Sequence, residues 1–211
     1  MVELEKSLDE AYEMLGIGNE QRDSLNLYLE VLKKRSVPTR EHSVRVGLKG
    51  IEVADFTHIV CPKTLFYPGL LHDVGKALVD PETLEKTEGF HGGDMARIRR
   101  HPSYGYNLLK GIHDFSAEVL LRHHIFVGEG YPKHMPSSGI DFSNGTHALI
   151  LYCARMVGLI DFYDAMMHRE NDKFSPGTKR LPTREEGRGI IIGANQDQEY
   201  FLNQLYEKRI F

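Results

Sequence analysis

Apolar residues along this chain recur at three- and four-residue intervals, with polar residues between them. Val44, Leu48, Ile51 and Ala54 show this spacing, which is typical of a helix with one buried face. Strand-like alternation of apolar and polar residues is nearly absent. The pattern predicts helices over residues 3–15, 20–35, 39–59, 64–73, 92–110, 115–124, 146–169, 183–193 and 197–208. We therefore expect an all-α fold.

Prolines, glycines and small polar residues separate these predicted helices. Pro38-Thr39 is expected to open one helix, and Asp80-Pro81 a short one. The segment GEGYPKHMPSSGIDFSNG, residues 128–145, predicts a long loop, and long ordered loops in compact domains are often functional. Residues 1–36 are expected to form a helical lead-in suited to packing or dimerisation. Residues 37–211 are then the main domain.

The composition narrows the class of protein. Of the 211 residues, 41% are hydrophobic and 27% are charged, as in an ordinary globular protein. The formal net charge of -4 provides no basic field, so we expect neither DNA nor an anionic membrane as a partner. The apolar run from His147 to Met167 contains Arg155 and two aspartates, which argues against a membrane span. Two distant cysteines, Cys61 and Cys153, and the lack of a signal peptide suggest a reduced, cytoplasmic protein.

Histidine and aspartate residues stand out at the ends and faces of the predicted helices. The stretch GLLHDVGKALVD places an imidazole beside a carboxylate directly after a bulky apolar run. Each of these groups needs a partner to offset its loss of hydration when buried. Mixed imidazole and carboxylate ligands suit first-row metal ions, and bridging carboxylates suit a pair of them. The positions that could converge on metal are His42, His72-Asp73, His101, His123-His124 and Asp161.

Each of these residues also has a simpler explanation on its own. A single helical histidine is more often a hydrogen-bonded core or surface residue, and His58 and His113 are expected to belong to that class. Asp161 has Arg155 and Arg169 as alternative partners. Five sites, three of them His-Asp, His-Pro and His-His doublets, are nevertheless hard to obtain by chance. The set therefore favours a metal centre.

The ordered set of His, His-Asp, His-Pro, His-His and Asp resembles the HD superfamily of metal-dependent phosphohydrolases and, within it, the HD-GYP family. The segments that carry the resemblance are EHSVRV, LLHDVGK, VDPETLEK, RRHPSYGYNLL, HHIFVGEGYP and IDFYDAMM. The resemblance covers most of the chain. It implies an all-helical HD-domain bundle that hydrolyses a phosphodiester bond in cyclic di-GMP or a related cyclic dinucleotide. The attacking group would be a bridging hydroxide activated by two metal ions.

The resemblance also implies roles for individual residues. Asp73 would bridge the two ions, and Lys76 would neutralise charge that develops on the phosphate. Helical spacing, and not the resemblance, places Asp164 one turn after Asp161 on the same face, where it is expected to orient Lys76 or a ligand imidazole, unless it is an ordinary solvated or salt-bridged helix residue. Iron or manganese is the favoured metal, with zinc or nickel as alternatives. The implied metal ligands are His42, His72, Asp73, His101, His123, His124 and Asp161.

Substrate-binding residues are expected in and after the long loop. Tyr131 offers a ring on which a base could stack, or it packs on the core as part of a structural connector. Arg169 and Lys173 fall near a basic pair that contacts substrate phosphate in the family, although both also suit ordinary helix-end cations. Pro38 stands where three-metal members carry a glutamate, so two ions are expected. Ile125 replaces a glutamate after the histidine pair, and the loop is one residue short.

Several functions are compatible with these residues. The alternatives to a cyclic dinucleotide phosphodiesterase are an HD phosphohydrolase acting on another nucleotide or an RNA end, a di-iron oxygenase, and an inactive module that binds a nucleotide or a protein. The Gly-Tyr-Pro and His-Pro motifs favour the phosphodiesterase over the oxygenase. Retention of every implied ligand and of Lys76 disfavours the inactive module. The helical lead-in suits a homodimer, and a regulatory protein partner is expected because no sensor domain is recognisable in the sequence.

Overall fold

The structure is a computed structural model, and it describes residues 2–86, 89, 91–126, 128–136, 140–168 and 180–211. Within these ranges the chain forms eleven α-helices and two short 3₁₀ helices, and no strand occurs there. The α-helices are α1 Val2–Met14, α2 Asn19–Arg35, α3 Val37–Thr57, α4 Pro62–Leu71, α5 Pro81–Leu84, α6 Gly92–Ile98, α7 His101–Leu109, α8 Asp114–Arg122, α9 Asn144–His168, α10 Arg184–Ala194 and α11 Glu199–Glu207. The 3₁₀ helices span Val74–Leu78 and Gln196–Gln198. The predicted all-α fold is confirmed.

The predicted helices begin and end within about two residues of the observed ones, except over residues 92–110. There the chain forms α6 and α7, separated at Arg99-Arg100, so the prediction of one continuous helix was wrong. Pro102 lies in the first turn of α7. A proline has no backbone N–H to bond to a preceding helical turn, so it favours a new helix start there. The break places His101 at the first position of α7.

Helix starts follow the turn signals of the sequence. The Ser36 side chain accepts a hydrogen bond from the backbone N–H of Thr39 at the start of α3. Asp80 does the same for Thr83 at the start of α5, at 2.8 Å. The long loop that follows the histidine pair ends where α9 begins, at Asn144. The predicted starts at Pro38-Thr39 and at Asp80-Pro81 are therefore confirmed.

Helices α3, α4, α8 and α9 form the centre of the fold, and two apolar clusters hold them together. One cluster joins α9 to α10 and α11, and Val157 and Leu202 are fully buried in it. The other joins α1 and α2 to α3 and α4, around residues such as Leu25 and Leu70. Burial of each such leucine or valine contributes about 1.5–3 kcal/mol. This packing holds the ends of the central helices in place.

Two glycines allow the central elements to approach closely. A Cβ atom on Gly75 would lie 1.9 Å from the carbonyl oxygen of His101, and one on Gly158 would lie 2.3 Å from that of His123. Neither distance is compatible with a side chain unless the backbone moves. The 3₁₀ helix after Asp73 therefore lies directly against the start of α7, and α9 lies directly against the end of α8.

Both cysteines are free thiols. Cys61 is exposed just before α4, and a hydrogen bond with Thr64 lowers the pKa of its thiol. Cys153 is buried in α9, and burial raises the pKa of its thiol to about 12. Among the helices of the described ranges, none combines the length and the apolarity that crossing a membrane requires.

Candidate metal centre

Five helix ends and faces bring the predicted ligands into one buried cluster. His42 lies within α3 and Asp161 within α9. The other residues flank helix ends: His72 follows α4, His101 opens α7, and His123-His124 follow α8. All of the predicted ligands belong to one of three overlapping groups whose side-chain atoms are close enough to share a metal ion. The structure thus brings together every residue that the sequence analysis assigned to metal.

The first group consists of His42, His72 and Asp73, with Asp161 beside it. The ligand atoms of the first three residues lie within 4.8 Å of one another. His42 Nε2 lies 3.2 Å from His72 Nε2 and 2.9 Å from Asp161 Oδ1. Two imidazoles and two carboxylates therefore face a single point.

The second group consists of His101, His123 and His124. Their ligand atoms also lie within 4.8 Å of one another, and His101 Nε2 is 3.5 Å from His123 Nε2. His124 Nε2 lies 3.8 Å from Asp161 Oδ2, whereas it is Oδ1 that lies 2.9 Å from His42 Nε2. The second group thus offers three imidazoles next to the first.

Asp73 lies between the imidazoles of the first group and those of the second. Its Oδ1 is 3.3 Å from His101 Nε2, in the second group. Its Oδ2 is 3.5 Å from His72 Nε2 and 3.7 Å from His42 Nε2, in the first group. Oδ1 is buried and accepts no hydrogen bond from the described residues. A buried carboxylate oxygen without a donor is costly, so its position is best explained by a cation.

Hydrogen bonds on the far side of three imidazoles fix their orientation. His72, His101 and His123 each direct Nδ1 at a backbone carbonyl oxygen, which can only accept, so Nδ1 carries the proton and the Nε2 lone pair faces the cluster. Nε2 of His101 lies 3.5 Å from Nε2 of His123, and two such lone pairs repel each other unless a cation lies nearby. The donor set therefore fits metal ions. The accepting carbonyls belong to Gly69, Ile98 and Leu120.

The protonation states agree with this interpretation. Burial lowers the pKa of His101, His123 and His124, that of His123 to about 4, so these rings are neutral at pH 7. Burial alone would raise the pKa of Asp73. The ammonium of Lys76 and the surrounding imidazoles hold that pKa well below its usual range. Neutral imidazole and ionised carboxylate are the forms that bind metal.

His72 differs from the other imidazoles. Burial would lower its pKa, but the carboxylates of Asp73 and Asp161 raise the pKa above its ordinary value. The two carboxylates therefore favour positive charge at this point. His72 Nδ1 donates its proton to the carbonyl oxygen of Gly69, so the positive charge must be supplied at Nε2. Either a proton or a metal ion can supply it there.

Lys76 and Asp164 were expected to support the centre. Lys76 is only 8% exposed, and its Nζ lies 2.6 Å from Asp73 Oδ2. Asp164 Oδ2 lies 2.6 Å from His42 Nδ1. Of the two partners expected for Asp164, the structure therefore shows the ligand imidazole, whereas Lys76 pairs with Asp73.

Arg45 is a residue that the sequence analysis missed. Its Nε donates to Asp164 Oδ1 at 2.8 Å and its Nη2 to Asp164 Oδ2 at 2.9 Å. The signal was its position one turn after His42 on the same face of a helix, within EHSVRV. Arg155, an alternative partner for Asp161, instead donates to Asp197 at 2.7 Å.

The residues expected to bind substrate are only partly described. The Tyr131 ring stacks on His124, with ring centroids 4.5 Å apart. The guanidinium of Arg99, another residue not predicted, lies over Tyr131 at 5.5 Å from the ring centroid. Burial raises the pKa of Tyr131, so its hydroxyl stays protonated. Arg169 and Lys173 lie outside the described residues.

The part of the chain that contains this cluster is similar to known proteins. The model of the HD domain family matches residues 39–166, which include every predicted metal ligand. The cyclic di-GMP phosphodiesterase response regulator RpfG of Xanthomonas campestris is 31% identical over 102 residues, which cover 46% of this chain and 24% of that protein. The cyclic di-GMP phosphodiesterase PA4108 of Pseudomonas aeruginosa is 32% identical over 146 residues, which cover 66% of this chain and 33% of that protein. The chain thus matches only 24–33% of the length of these relatives.

Proposed function

The chain belongs to the HD domain family, and on that premise we propose that it is a metal-dependent phosphohydrolase whose substrate is a cyclic dinucleotide such as cyclic di-GMP. The observation that carries the proposal is the position of Asp73. Its two oxygens face two different sets of imidazoles. One of these oxygens, Oδ1, accepts no hydrogen bond from the described residues. The choice of substrate is supported by the names of both relatives, which are cyclic di-GMP phosphodiesterases.

Two divalent ions fit the donor set under this proposal. Each would have imidazole and carboxylate ligands, which suit iron or manganese, with zinc or nickel as alternatives. A pair of ions bound there supplies an activated water molecule and neutralises phosphate charge. The first ion would be held by His42, His72, Asp73 and Asp161, and the second by Asp73, His101, His123 and His124.

The remaining residues stabilise charge on the phosphate or fix the orientation of a ligand imidazole. Lys76 would stabilise negative charge that develops on the phosphate oxygens, and its burial beside Asp73 makes this effect stronger than in water. Asp164 would keep the His42 ring turned so that Nε2 faces the cluster. Arg45 would in turn hold the Asp164 carboxylate.

The test is to purify the chain under anaerobic conditions, measure its bound metal, and assay it with iron or manganese added. The substrates are cyclic di-GMP, other cyclic dinucleotides, linear dinucleotides and RNA with a terminal phosphate. We expect two metal ions per chain and hydrolysis of a cyclic dinucleotide. His101→Gln should lose activity, whereas His147→Gln, on an exposed residue of α9, is the matched control and should keep it.

Other results would identify the alternative functions. Hydrolysis restricted to linear substrates would replace the cyclic dinucleotide by another nucleotide or RNA. Oxygen consumption without phosphodiester hydrolysis would indicate a di-iron oxygenase. Nucleotide binding without any turnover would indicate an inactive binding module.

A further inference from the structure

Arg99 places a weakly paired positive charge at the edge of the candidate metal centre. Its guanidinium lies over the Tyr131 ring, which itself stacks on the predicted metal ligand His124. The Nε atom of Arg99 is buried and has no hydrogen-bond partner within the described part of the chain. Arg99 lies at the break between α6 and α7, and its side chain is 41% exposed. Its guanidinium is therefore held beside the cluster and is partly open to solvent.

The carboxylate nearest to this guanidinium is a weak partner. Glu129 Oε2 lies 3.6 Å from Arg99 Nη1, and the Glu129 side chain is 81% exposed. An exposed ion pair of this kind contributes about 0–1 kcal/mol. A phosphate that offers two oxygens in the plane of the guanidinium binds it more strongly. The contact with Glu129 is therefore one that a phosphate can replace.

We infer that Arg99 binds the phosphate of the substrate that is not being hydrolysed, and that this phosphate takes the place of the Glu129 carboxylate. The inference rests on the proposed function, because a cyclic dinucleotide carries two phosphodiester groups and only one of them would be hydrolysed at the proposed metal centre. Arg99 is then a specificity-determining residue. It favours substrates with a second phosphate over phosphodiesters that have only one.

The test compares two substrates on metal-loaded protein. Cyclic di-GMP carries two phosphodiesters, and bis(p-nitrophenyl) phosphate carries one. Arg99→Ala should lower kcat/KM for cyclic di-GMP about 10- to 100-fold, mainly through KM, because a charge-assisted bidentate contact is lost. The same variant should hydrolyse bis(p-nitrophenyl) phosphate within about twofold of the wild-type rate and keep its metal content, since Arg99 is not in either ligand group.

Three further variants complete the test. Arg99→Lys keeps the charge and its contact with the ring but loses the planar fork, so an intermediate KM is expected. Glu129→Gln removes the competing carboxylate and should lower KM for cyclic di-GMP. Arg97→Ala is the matched control, because Arg97 is an exposed arginine on α6 that pairs with Asp94 and does not contact Tyr131. This variant should leave kcat/KM unchanged for both substrates.

The outcomes separate this inference from the proposed function. Wild-type protein that hydrolyses both substrates, combined with an unchanged KM for cyclic di-GMP in Arg99→Ala, overturns the inference alone. An equal loss of kcat/KM on the two substrates, or a loss of bound metal, in Arg99→Ala also overturns the inference. Arg99 would then act by supporting Tyr131 and His124. Wild-type protein that is inactive on both substrates overturns the proposed function, and this inference with it.

Discussion

Asp164 Oδ2 lies 2.6 Å from Nδ1 of His42, while Nε2 of the same ring lies 2.9 Å from Asp161 Oδ1. The two carboxylates are one turn apart on α9, so a single helix sets the orientation of an imidazole that belongs to α3. Arg45 fixes the Asp164 carboxylate in turn, through two hydrogen bonds. Burial would raise the pKa of Asp164, but His168, His42 and Arg45 hold that pKa far below its usual range. The carboxylate is therefore ionised at neutral pH.

We expect Asp164→Asn to weaken metal binding about 10- to 100-fold, because the amide no longer fixes the tautomer and angle of His42. The measurement is a competition titration of Mn²⁺ against a chelating dye. Arg45→Gln is the control, since it leaves the Asp164 carboxylate beside His42 and should lose less affinity. Equal affinity in Asp164→Asn and in the wild-type protein would contradict the orienting role.

Asp73→Asn should reduce the bound metal from two ions to about one or fewer and abolish hydrolysis, because a neutral amide cannot bridge two cations. Asparagine keeps the volume of the buried side chain and avoids leaving a cavity beside Lys76. Elemental analysis of the purified variant gives the number of ions directly. Asp197→Asn, which alters an exposed carboxylate paired with Arg155, should retain both ions. Two ions in Asp73→Asn would mean that Asp73 is not the bridge.

Lys76→Met should keep both ions and lower kcat about 100-fold or more, because one preorganised charge near the phosphate is lost. The methionine side chain fills nearly the same buried space, so the 3₁₀ helix should persist. Single-turnover kinetics with cyclic di-GMP separate the chemical step from product release. An unchanged rate would limit Lys76 to neutralising Asp73, which it contacts at 2.6 Å.

The sequence was sufficient to predict the helices and the cluster of ligands, for identifiable reasons. Regular three- and four-residue spacing reports a buried helix face directly. Doublets such as His72-Asp73 and His123-His124 lie at helix ends, and helix ends converge in a bundle. The main error, one helix over residues 92–110, arose because the periodicity continues across the break at Arg99-Arg100. Pro102 was the local signal for that break.

The partners of supporting residues could not be predicted, because they depend on how distant elements pack. The contact between Arg45 and Asp164 joins residues 119 positions apart. Asp164 was expected to meet Lys76 or an imidazole, and only the packing of α9 against α3 decides between them. The Tyr131 ring likewise meets His124 and Arg99 through the path of its loop. That path leaves no periodic pattern in the sequence.

Tyr131→Leu should weaken binding of the metal ion that His124 is proposed to hold by about 2- to 10-fold, because loss of an aromatic contact costs about 0.5–1.5 kcal/mol. Tyr131→Phe keeps the stacked ring and should behave like the wild-type protein. The measurement is metal content at limiting metal, together with KM for cyclic di-GMP. A raised KM with full metal content would instead favour the interpretation that the ring stacks on a substrate base.

Gly75→Ala should destabilise the fold, because the new methyl group would lie 1.9 Å from the carbonyl oxygen of His101. Overpacking of this kind costs about 1–3 kcal/mol or more, which corresponds to a fall in Tm of roughly 2–12 °C for a chain of this size. The displaced segment also carries Asp73 and His101, so metal binding should weaken together with stability.

The matched control for this change is Gly189→Ala. Gly189 lies inside α10, and apart from its chain neighbours and the backbone of its own helix no atom lies within 4 Å of the position that its Cβ would occupy. Alanine there should stabilise the helix by about 0.5–1 kcal/mol, so its Tm should rise slightly. Thermal unfolding followed by circular dichroism, with and without added Mn²⁺, measures both variants. If Gly75→Ala unfolds at the wild-type temperature and still binds metal, the 3₁₀ helix does not lie against the start of α7. The glycine of the HDVGK segment would then have no packing role.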